Sequence, residues 1–204
     1  RDRNRIDINQ VIGKNKALIS VFAGSRESEI KLLMPILLDF IKLMKQKYSD
    51  MTYVFHSTKN FSQLQQSLIK EKNLSNCEVI SDDKIKSHIL QKSIFAVTKS
   101  GTVSLEISNA KIPSIVFYKM GYINFLIVKS LVKTKYANII NFAANEEIIP
   151  ELLQSKCNAK NIFDHVDSFL ENPDKINKHC LLYTSDAADD SLRVDLGGRR
   201  IIKK

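Results

Sequence analysis

Cysteine is scarce in this sequence, which has three cysteines among 204 residues. Cys77, Cys157 and Cys180 are widely spaced and odd in number. Such a set forms neither the disulfide framework of a small secreted domain nor the paired spacing of a zinc site. We therefore expect structural cysteines and a reducing compartment.

Long apolar runs are also absent. No stretch approaches the roughly 18 consecutive apolar residues of a transmembrane helix, and no secretory signal peptide is visible. The chain opens on a polar Arg-Asp-Arg-Asn-Arg segment rather than on methionine. We therefore expect a piece of a longer protein.

Several motifs that are typical of other functions are missing. The sequence has no zinc knuckle, aromatic RNA-binding motif, basic helix, Gly-x-Ser-x-Gly elbow or P-loop. Its four histidines are scattered, so a metal triad is not expected. No cofactor is predicted. The formal net charge is nonetheless +9, carried by dispersed lysines. This pattern predicts a solvated basic surface that also suits phosphates or an anionic membrane, and it does not favour nucleic acid.

Arginine is nearly absent from the body of the chain. Between Arg5 and Arg193, Arg26 is the single arginine, and the other strongly basic residues are lysines. The planar guanidinium of arginine binds phosphate through two parallel hydrogen bonds, which the ammonium of lysine does not. Arg26 is therefore a candidate phosphate-binding residue.

Strand-like and helix-like segments alternate through the body of the chain. The predicted strands are Ala17–Phe22, Met51–His56, Glu78–Ile80, Ile94–Val97, Ser114–Tyr118 and Tyr136–Ile140. The predicted helices are Glu27–Tyr48, Asn60–Lys72, Lys84–Gln91, Thr102–Asn109, Gly121–Lys133, Glu146–Gln154 and Asn161–Leu170. Pro35 lies inside the first helix and predicts a kink or a late start. The alternation predicts an α/β fold, a Rossmann-like parallel sheet flanked by helices on both faces.

Two small-residue turns each connect a predicted strand to a predicted helix. They contain the candidate binding residues Gly24, Ser25 and Arg26 in the first turn and Ser100, Gly101 and Thr102 in the second. A turn of this kind directs backbone N–H groups and a helix dipole at one place, where an anion binds. Two such turns on one sheet predict a nucleotide-diphosphate site beyond the carboxyl ends of the strands.

Two glutamates follow these turns. Glu106 lies about one helical turn after Thr102 and is a candidate acceptor for both hydroxyls of a ribose, the alternative being a solvent-facing glutamate. Glu29 lies in the first turn of its helix, where capping and ligand contact both stay open.

The composition changes at about Leu181. From there the sequence contains Ala-Ala-Asp-Asp and Gly-Gly-Arg-Arg, and it has no helical apolar period. Residues 181–204 look like translated sequencing-adapter read-through and are expected to be a disordered, non-native tail. A genuine disordered tail is the alternative.

An ordered set of motifs resembles the lipid-A-disaccharide synthase family. The set begins with Gly-Ser-Arg-x-x-Glu-Ile at 24–30 and Ser-Gly-Thr-x-x-Leu-Glu at 100–106. It continues with Leu-Val-Lys-Thr-x-Tyr at 131–136 and Pro-Glu-Leu-Leu-Gln at 150–154. The resemblance covers residues 12–173 and implies one half of a GT-B glycosyltransferase fold.

The resemblance also implies a function. The family transfers 2,3-diacylglucosamine from its UDP donor to 2,3-diacylglucosamine 1-phosphate, which yields the lipid A disaccharide 1-phosphate and UDP. The chain is then expected to comprise a remnant of the N-terminal half at 1–16 and the UDP-sugar donor-binding domain at 17–180. The general base is expected in the N-terminal half, so no catalytic residue is expected here. The location implied is cytoplasmic and peripheral at the inner membrane.

The same resemblance implies a set of donor-binding residues. They are Gly24, Ser25, Arg26, Ser100, Gly101, Thr102, Glu106, Asn141, Glu147 and Gln154. Four positions depart from the family pattern, which commonly has arginine where Lys119 and Glu146 stand, glycine where Asn145 stands and proline where Ile140 stands.

Several alternatives stay open. The chain is also compatible with a UDP-N-acetylglucosamine 2-epimerase-like enzyme, although that motif set is not visible, or with a non-catalytic nucleotide-binding module. The apolar, lysine-flanked segment Gly121–Lys133 is either an ordinary packed helix or a surface for acyl chains and an anionic leaflet.

Overall fold

A parallel β-sheet forms the centre of the molecule. The computed structural model describes residues 17–121 and 135–172. Within them the sheet has six strands in the order β3-β2-β1-β4-β5-β6, and all neighbours are parallel. The strands are β1 (Ala17–Phe22), β2 (Met51–His56), β3 (Cys77–Ile80), β4 (Phe95–Lys99), β5 (Ser114–Tyr118) and β6 (Glu151–Leu153). The predicted α/β sheet is confirmed.

Helices connect these strands. They are α1 (Glu27–Lys47), α2 (Ser62–Glu71), α3 (Asp83–Lys92), α4 (Val103–Asn109), α5 (Ile139–Ala144) and α6 (Ala159–Glu171), with a 3-10 turn at Gln154–Lys156. Helix α1 continues through Pro35 from its start at Glu27, so the late start that this proline suggested does not occur.

Alternate side chains of the central strands enter separate apolar clusters on the two faces of the sheet. In β2, Tyr53 and Phe55 belong to one cluster, while Val54 belongs to another with Ile80 and Ile89. All six residues of β2 are buried. Burial on both faces is the usual state of a parallel sheet covered by helices, and it explains why its strands are continuously apolar.

The largest cluster joins α1 and α6 to one face of the sheet. It includes Phe40 and Ile41 from α1, Ile162 and Phe169 from α6, and Phe95 from β4. The Phe95 and Phe169 rings lie 5.2 Å apart between centroids. An apolar stripe on each helix therefore fixes this side of the sheet.

The region after residue 135 differs from its prediction. The strand expected at Tyr136–Ile140 is wrong, because the backbone enters helix α5 at Ile139. Asn138 caps that helix through its side-chain oxygen, which accepts a hydrogen bond from the Ile140 N–H at 2.8 Å. Such a cap is a strong local helix signal that an apolar pattern of five residues does not outweigh.

The helix expected at Glu146–Gln154 is also wrong. Asn145 ends α5 in the left-handed conformation, with φ of 51°. The chain then reaches Pro150, whose carbonyl accepts a hydrogen bond from the Val116 N–H at 2.9 Å. Residues Glu151–Leu153 follow as β6 beside β5. Pairing at the sheet edge therefore outweighs helix propensity in this segment.

Across residues 17–121 and 135–172, no helix has the length and apolar character needed to cross a bilayer. The helix predicted at Gly121–Lys133 lies almost entirely outside the described residues.

Candidate functional site

The two predicted turns meet between β1 and β4, where the order of the strands along the sheet reverses. Strands β1 and β4 are neighbours, with Phe22 opposite Thr98 at their carboxyl ends. From β1 the chain continues into α1 on the face of the largest cluster, whereas α4 places Ile107 in a cluster with Ala96 on the opposite face. Ligands of open α/β sheets bind in the crevice that forms at such a switch point.

A cavity of about 390 Å³ occupies this crevice. Both turns line it, together with the carboxyl end of β2 and one side of α3. The residues in its wall include Phe22, Gly24, Ser25, His56, Lys86, Lys99, Ser100, Gly101, Thr102 and Glu106. Six of the predicted donor-binding residues are therefore brought together, whereas Arg26 lies beside the cavity rather than in its wall.

The two glycines of the turns have different surroundings. Gly24 has φ of 108°, and a Cβ there would lie 2.6 Å from Glu29 Oε2. A Cβ at Gly101 would meet no heavy atom nearer than the Lys99 carbonyl oxygen at 4.0 Å. The fold itself therefore requires glycine at 24. At 101 the structure leaves room for a side chain.

Glu29 ties the first turn to the second. Its Oε2 accepts a hydrogen bond from the Ser25 N–H at 3.2 Å. Its Oε1 lies 3.1 Å from Lys99 Nζ and 3.8 Å from an Arg26 guanidinium nitrogen. The Glu29 side chain is 13% exposed and that of Arg26 is 79% exposed. A largely buried carboxylate thus neutralises the cation at the end of β4.

The second turn is connected to the segment after residue 135. The Ser100 hydroxyl donates a hydrogen bond to the Ala137 carbonyl at 2.8 Å, and the Ser104 hydroxyl donates to the Gly101 carbonyl at 2.7 Å. Thr102, which precedes α4, makes no side-chain capping bond. Thr102 and Glu106 are exposed at the cavity wall.

A buried polar relay reaches the cavity from the core. Ser93 Oγ donates to the Ile89 carbonyl at 3.0 Å. The Ser20 hydroxyl lies 2.7 Å from Ser93 Oγ and 2.8 Å from His56 Nε2. The Ser93 hydroxyl hydrogen is used in the bond to the Ile89 carbonyl, so the Ser20 hydroxyl donates to Ser93 Oγ. Ser20 Oγ then accepts a hydrogen bond from His56 Nε2–H.

This relay defines the state of His56. Its ring stacks on Phe22 with centroids 4.2 Å apart. Burial lowers the pKa of His56 to about 3, and the positive charge of Lys86 adds to the effect. His56 is therefore neutral at physiological pH, with its proton on Nε2.

A second cation faces the cavity from α3. Lys86 Nζ lies 2.9 Å from an Asp83 carboxylate oxygen, and both residues line the wall. The pKa of Asp83 is lowered by its hydrogen bond and charge interaction with Lys86. The cavity therefore has a paired lysine on each side, Lys99 at the two turns and Lys86 on α3.

Besides Arg26, three predicted donor-binding residues lie outside the cavity wall. Asn141 is buried, and its amide group donates to the Ile149 carbonyl at 2.7 Å and to Glu151 at 2.8 Å, while its oxygen accepts from the Ile149 N–H at 2.8 Å. Glu147 accepts from the Glu151 N–H at 3.2 Å. Gln154 has φ of 50° at the end of β6. In this structure Asn141 and Glu147 stabilise the loop between α5 and β6.

Metal ligands are not clustered in the part of the chain that the structure describes, where no group of three or more His, Cys, Asp or Glu side chains is placed to hold an ion. Burial raises the pKa of the Cys77 thiol to about 12 and that of Cys157 to about 11. Both thiols are therefore protonated and unreactive at physiological pH.

Comparison with known proteins identifies the family. The profile of the lipid-A-disaccharide synthetase family matches residues 1–192. The chain belongs to this family. The match extends past residue 180, where the predicted tail begins, so the non-native origin of that tail stays a prediction.

A curated relative gives the extent of the similarity. The lipid-A-disaccharide synthase of Sulfurihydrogenibium sp. is 34% identical over 167 residues, which are 78% of this chain and 43% of the relative. The chain described here spans less than half the length of the curated relatives it matches.

Solved structures share the fold. The C-terminal domain of a group 1 glycosyl transferase from Francisella tularensis superposes with a TM-score of 0.56 at 13% identity, covering 93% of this chain and 95% of that domain. A putative UDP-N-acetylglucosamine 2-epimerase from Listeria monocytogenes gives 0.58 at 15% identity, covering 88% of this chain and 43% of the epimerase. The GT-B type of half-domain that the sequence predicted is confirmed, and at these identities the likeness concerns the fold alone.

Proposed function

We propose that this chain is the donor-binding half of a lipid-A-disaccharide synthase. The observation that carries the proposal is the meeting of two glycine-containing turns at the switch point of the sheet, in a chain of this family. Their backbone N–H groups and helix N-termini suit a diphosphate. Between the turns and α3, the cavity offers room for the rest of a nucleotide.

The donor in this proposal is UDP-2,3-diacylglucosamine and the acceptor is 2,3-diacylglucosamine 1-phosphate. The 6-hydroxyl of the acceptor attacks the anomeric carbon of the donor, and the bond from that carbon to the diphosphate oxygen breaks. UDP leaves with the bonding electrons, and the hydroxyl proton passes to a base in the N-terminal half of the enzyme. The products are the β-1,6-linked disaccharide 1-phosphate and UDP.

The chain's part in this reaction is to bind the donor and stabilise the leaving UDP. The negative charge that develops on the diphosphate is met by the fixed dipoles of the two turns and by the Arg26 guanidinium. Ser25, Gly101 and Thr102 supply these contacts, Arg26 reaches over from the rim, and Glu106 binds the ribose hydroxyls. Asn141, Glu147 and Gln154 remain proposed donor-site residues, two of them through the loop that they stabilise.

We further propose a location at the cytoplasmic surface of the inner membrane. Both substrates are lipids, and the net charge of +9 suits an anionic leaflet. The lysine-flanked segment 121–133 is the proposed contact.

A transfer assay tests the function. The chain is joined behind the N-terminal half of a family member, and the fusion and the chain alone are each incubated with the labelled donor and the lipid acceptor. We expect labelled disaccharide from the fusion and none from the chain alone, because the base is in the other half.

The assay also separates the alternatives. A folded fusion that converts UDP-N-acetylglucosamine to its 2-epimer and transfers no sugar would contradict the proposal in favour of an epimerase. Disaccharide synthesis by the chain alone would contradict the division of roles between the halves.

A further inference from the structure

Lys99 occupies a position that the proposed function has not used. It is the last residue of β4, directly before the turn that contains Gly101. Its side chain is 20% exposed and lines the cavity. The Nζ atom lies over the Tyr118 ring, 5.2 Å from its centroid, so the aromatic face also helps to position the ammonium group. Lys99 therefore places a positioned ammonium group at the edge of the proposed diphosphate site.

The partner of this cation is Glu29, at 3.1 Å. The same carboxylate accepts the Ser25 N–H at 3.2 Å and lies 3.8 Å from the Arg26 guanidinium. A backbone N–H at a helix start together with lysine and arginine is the set of groups that recognises a phosphate. In this structure Glu29 places a carboxylate among them.

The first turn is shaped to admit that carboxylate. Gly24 has the positive φ that glycine favours, and a Cβ there would lie 2.6 Å from Glu29 Oε2 and 3.0 Å from Glu29 Cβ. Helix α1 also starts without a side-chain cap at Arg26. The Glu29 side chain therefore lies across the start of its own helix, where an anion is favoured.

We propose that Lys99 is a phosphate-binding residue for the diphosphate of the donor and that Glu29 is its counter-ion when no donor is bound. Diphosphate binding then exchanges one anion for another on the same ammonium, and it releases Arg26 from the same carboxylate. The inference rests on the proposed function, because it takes the ligand to be a nucleoside diphosphate. It adds a binding residue and a competing carboxylate to that site.

The first test compares UDP with uridine by calorimetric titration of the chain. Lys99→Met keeps an unbranched side chain of similar volume and removes the charge. We expect UDP affinity to fall by about tenfold or more, since a charge-assisted hydrogen bond is lost. Uridine affinity is expected to stay unchanged, so the ratio of UDP affinity to uridine affinity becomes smaller.

The control is Lys31→Met. Lys31 is also ion-paired on α1, with Glu27 at 2.6 Å, but it is exposed and outside the cavity wall. This variant loses the same net charge, and we expect the difference between UDP and uridine to persist. Lys99→Arg is expected to restore part of the lost UDP affinity.

A second variant tests the counter-ion without altering Lys99. Glu29→Gln keeps an oxygen that accepts the Ser25 N–H and removes the negative charge. We expect UDP to bind more tightly and uridine to bind as before, because phosphate no longer competes with a carboxylate. Unchanged or weaker UDP binding by this variant, measured on folded protein, would overturn the proposal.

The two proposals fail in different ways. If the unaltered chain binds UDP no better than uridine, the proposed function is contradicted. If the unaltered chain prefers UDP and Lys99→Met keeps the whole preference, the inference about Lys99 is wrong and the proposed function stands.

Discussion

At the scale of single residues, the two turn glycines differ in whether the fold requires them. Gly24 is required by the fold, because of its φ of 108° and the Glu29 side chain that lies where a Cβ would be. Gly101 has no such requirement, since its nearest neighbour to a Cβ is 4.0 Å away. A glycine that the fold leaves unconstrained at a cavity wall suits a ligand that approaches the backbone closely.

His56 gives a prediction about pH. Unfolded histidine titrates near pH 6.5, whereas burial lowers the pKa of His56 in the folded chain to about 3. Below pH 6.5 the unfolded chain therefore binds a proton that the folded chain does not, and stability is lost as the pH falls. This residue is expected to remove about 1 kcal/mol of unfolding free energy between pH 7 and pH 5.5.

Urea unfolding of the chain and of His56→Gln at both pH values measures this effect. Glutamine does not titrate, so the stability difference between the two proteins is expected to shrink on the acid side. A difference that is the same at both pH values would show that His56 titrates alike in the folded and unfolded chain.

The sequence predicted the turn residues but missed Lys99, Lys86 and His56. Gly24 and Gly101 stand out because small residues between a strand and a helix have a recognisable local pattern. Lys99 directly precedes the second turn and was hidden among many lysines. His56 ends a strand, where its contact with Ser20 depends on strand pairing that no local pattern contains.

At the scale of elements, the loop between α5 and β6 depends on one amide. Asn141 makes three hydrogen bonds there, two of them to the backbone of Ile149. The predicted strand and helix in this region were wrong, because caps and edge pairing decide its structure. In contrast, β1, α1 and β2 begin at the predicted residues, since long apolar periods and full burial leave few alternatives.

Asn141→Ala is expected to destabilise the chain by about 2 kcal/mol, since it leaves buried backbone groups of Ile149 without partners. Asn109→Ala serves as the control, because Asn109 is exposed on α4. Urea unfolding measures both. Equal stabilities of the two variants would contradict the structural role of Asn141.

A cluster of charged and polar side chains connects the end of α1 with α6 at the protein surface. Lys47 Nζ lies 2.7 Å from Asp167 and 2.6 Å from Glu171, and the Tyr48 hydroxyl donates to Asp167 at 2.7 Å. The Lys47 interactions raise its pKa. Because these groups are at the surface, the apolar contacts beneath them contribute more to the packing.

At the scale of the whole molecule, the strand order explains where the proposed site lies. The order β3-β2-β1-β4-β5-β6 reverses direction between β1 and β4, and both turns follow these two strands. The proposed site brings together residues that are far apart in the sequence. The alternating pattern of strands and helices predicts that the two turns lie at the same edge of the sheet. The pairing partners that complete the cavity came only from the structure.

The most direct test of the central claim is a calorimetric titration of UDP into the chain, beside Gly101→Ala. The account predicts saturable binding at one site by the unaltered chain. It predicts clearly weaker binding by the variant at an unchanged thermal midpoint, because the added methyl group would meet no protein atom nearer than the Lys99 carbonyl oxygen at 4.0 Å, whereas a ligand close to the backbone would meet it. A folded chain that binds no UDP, or a Gly101→Ala variant that binds it equally well, would contradict a diphosphate site at the two turns.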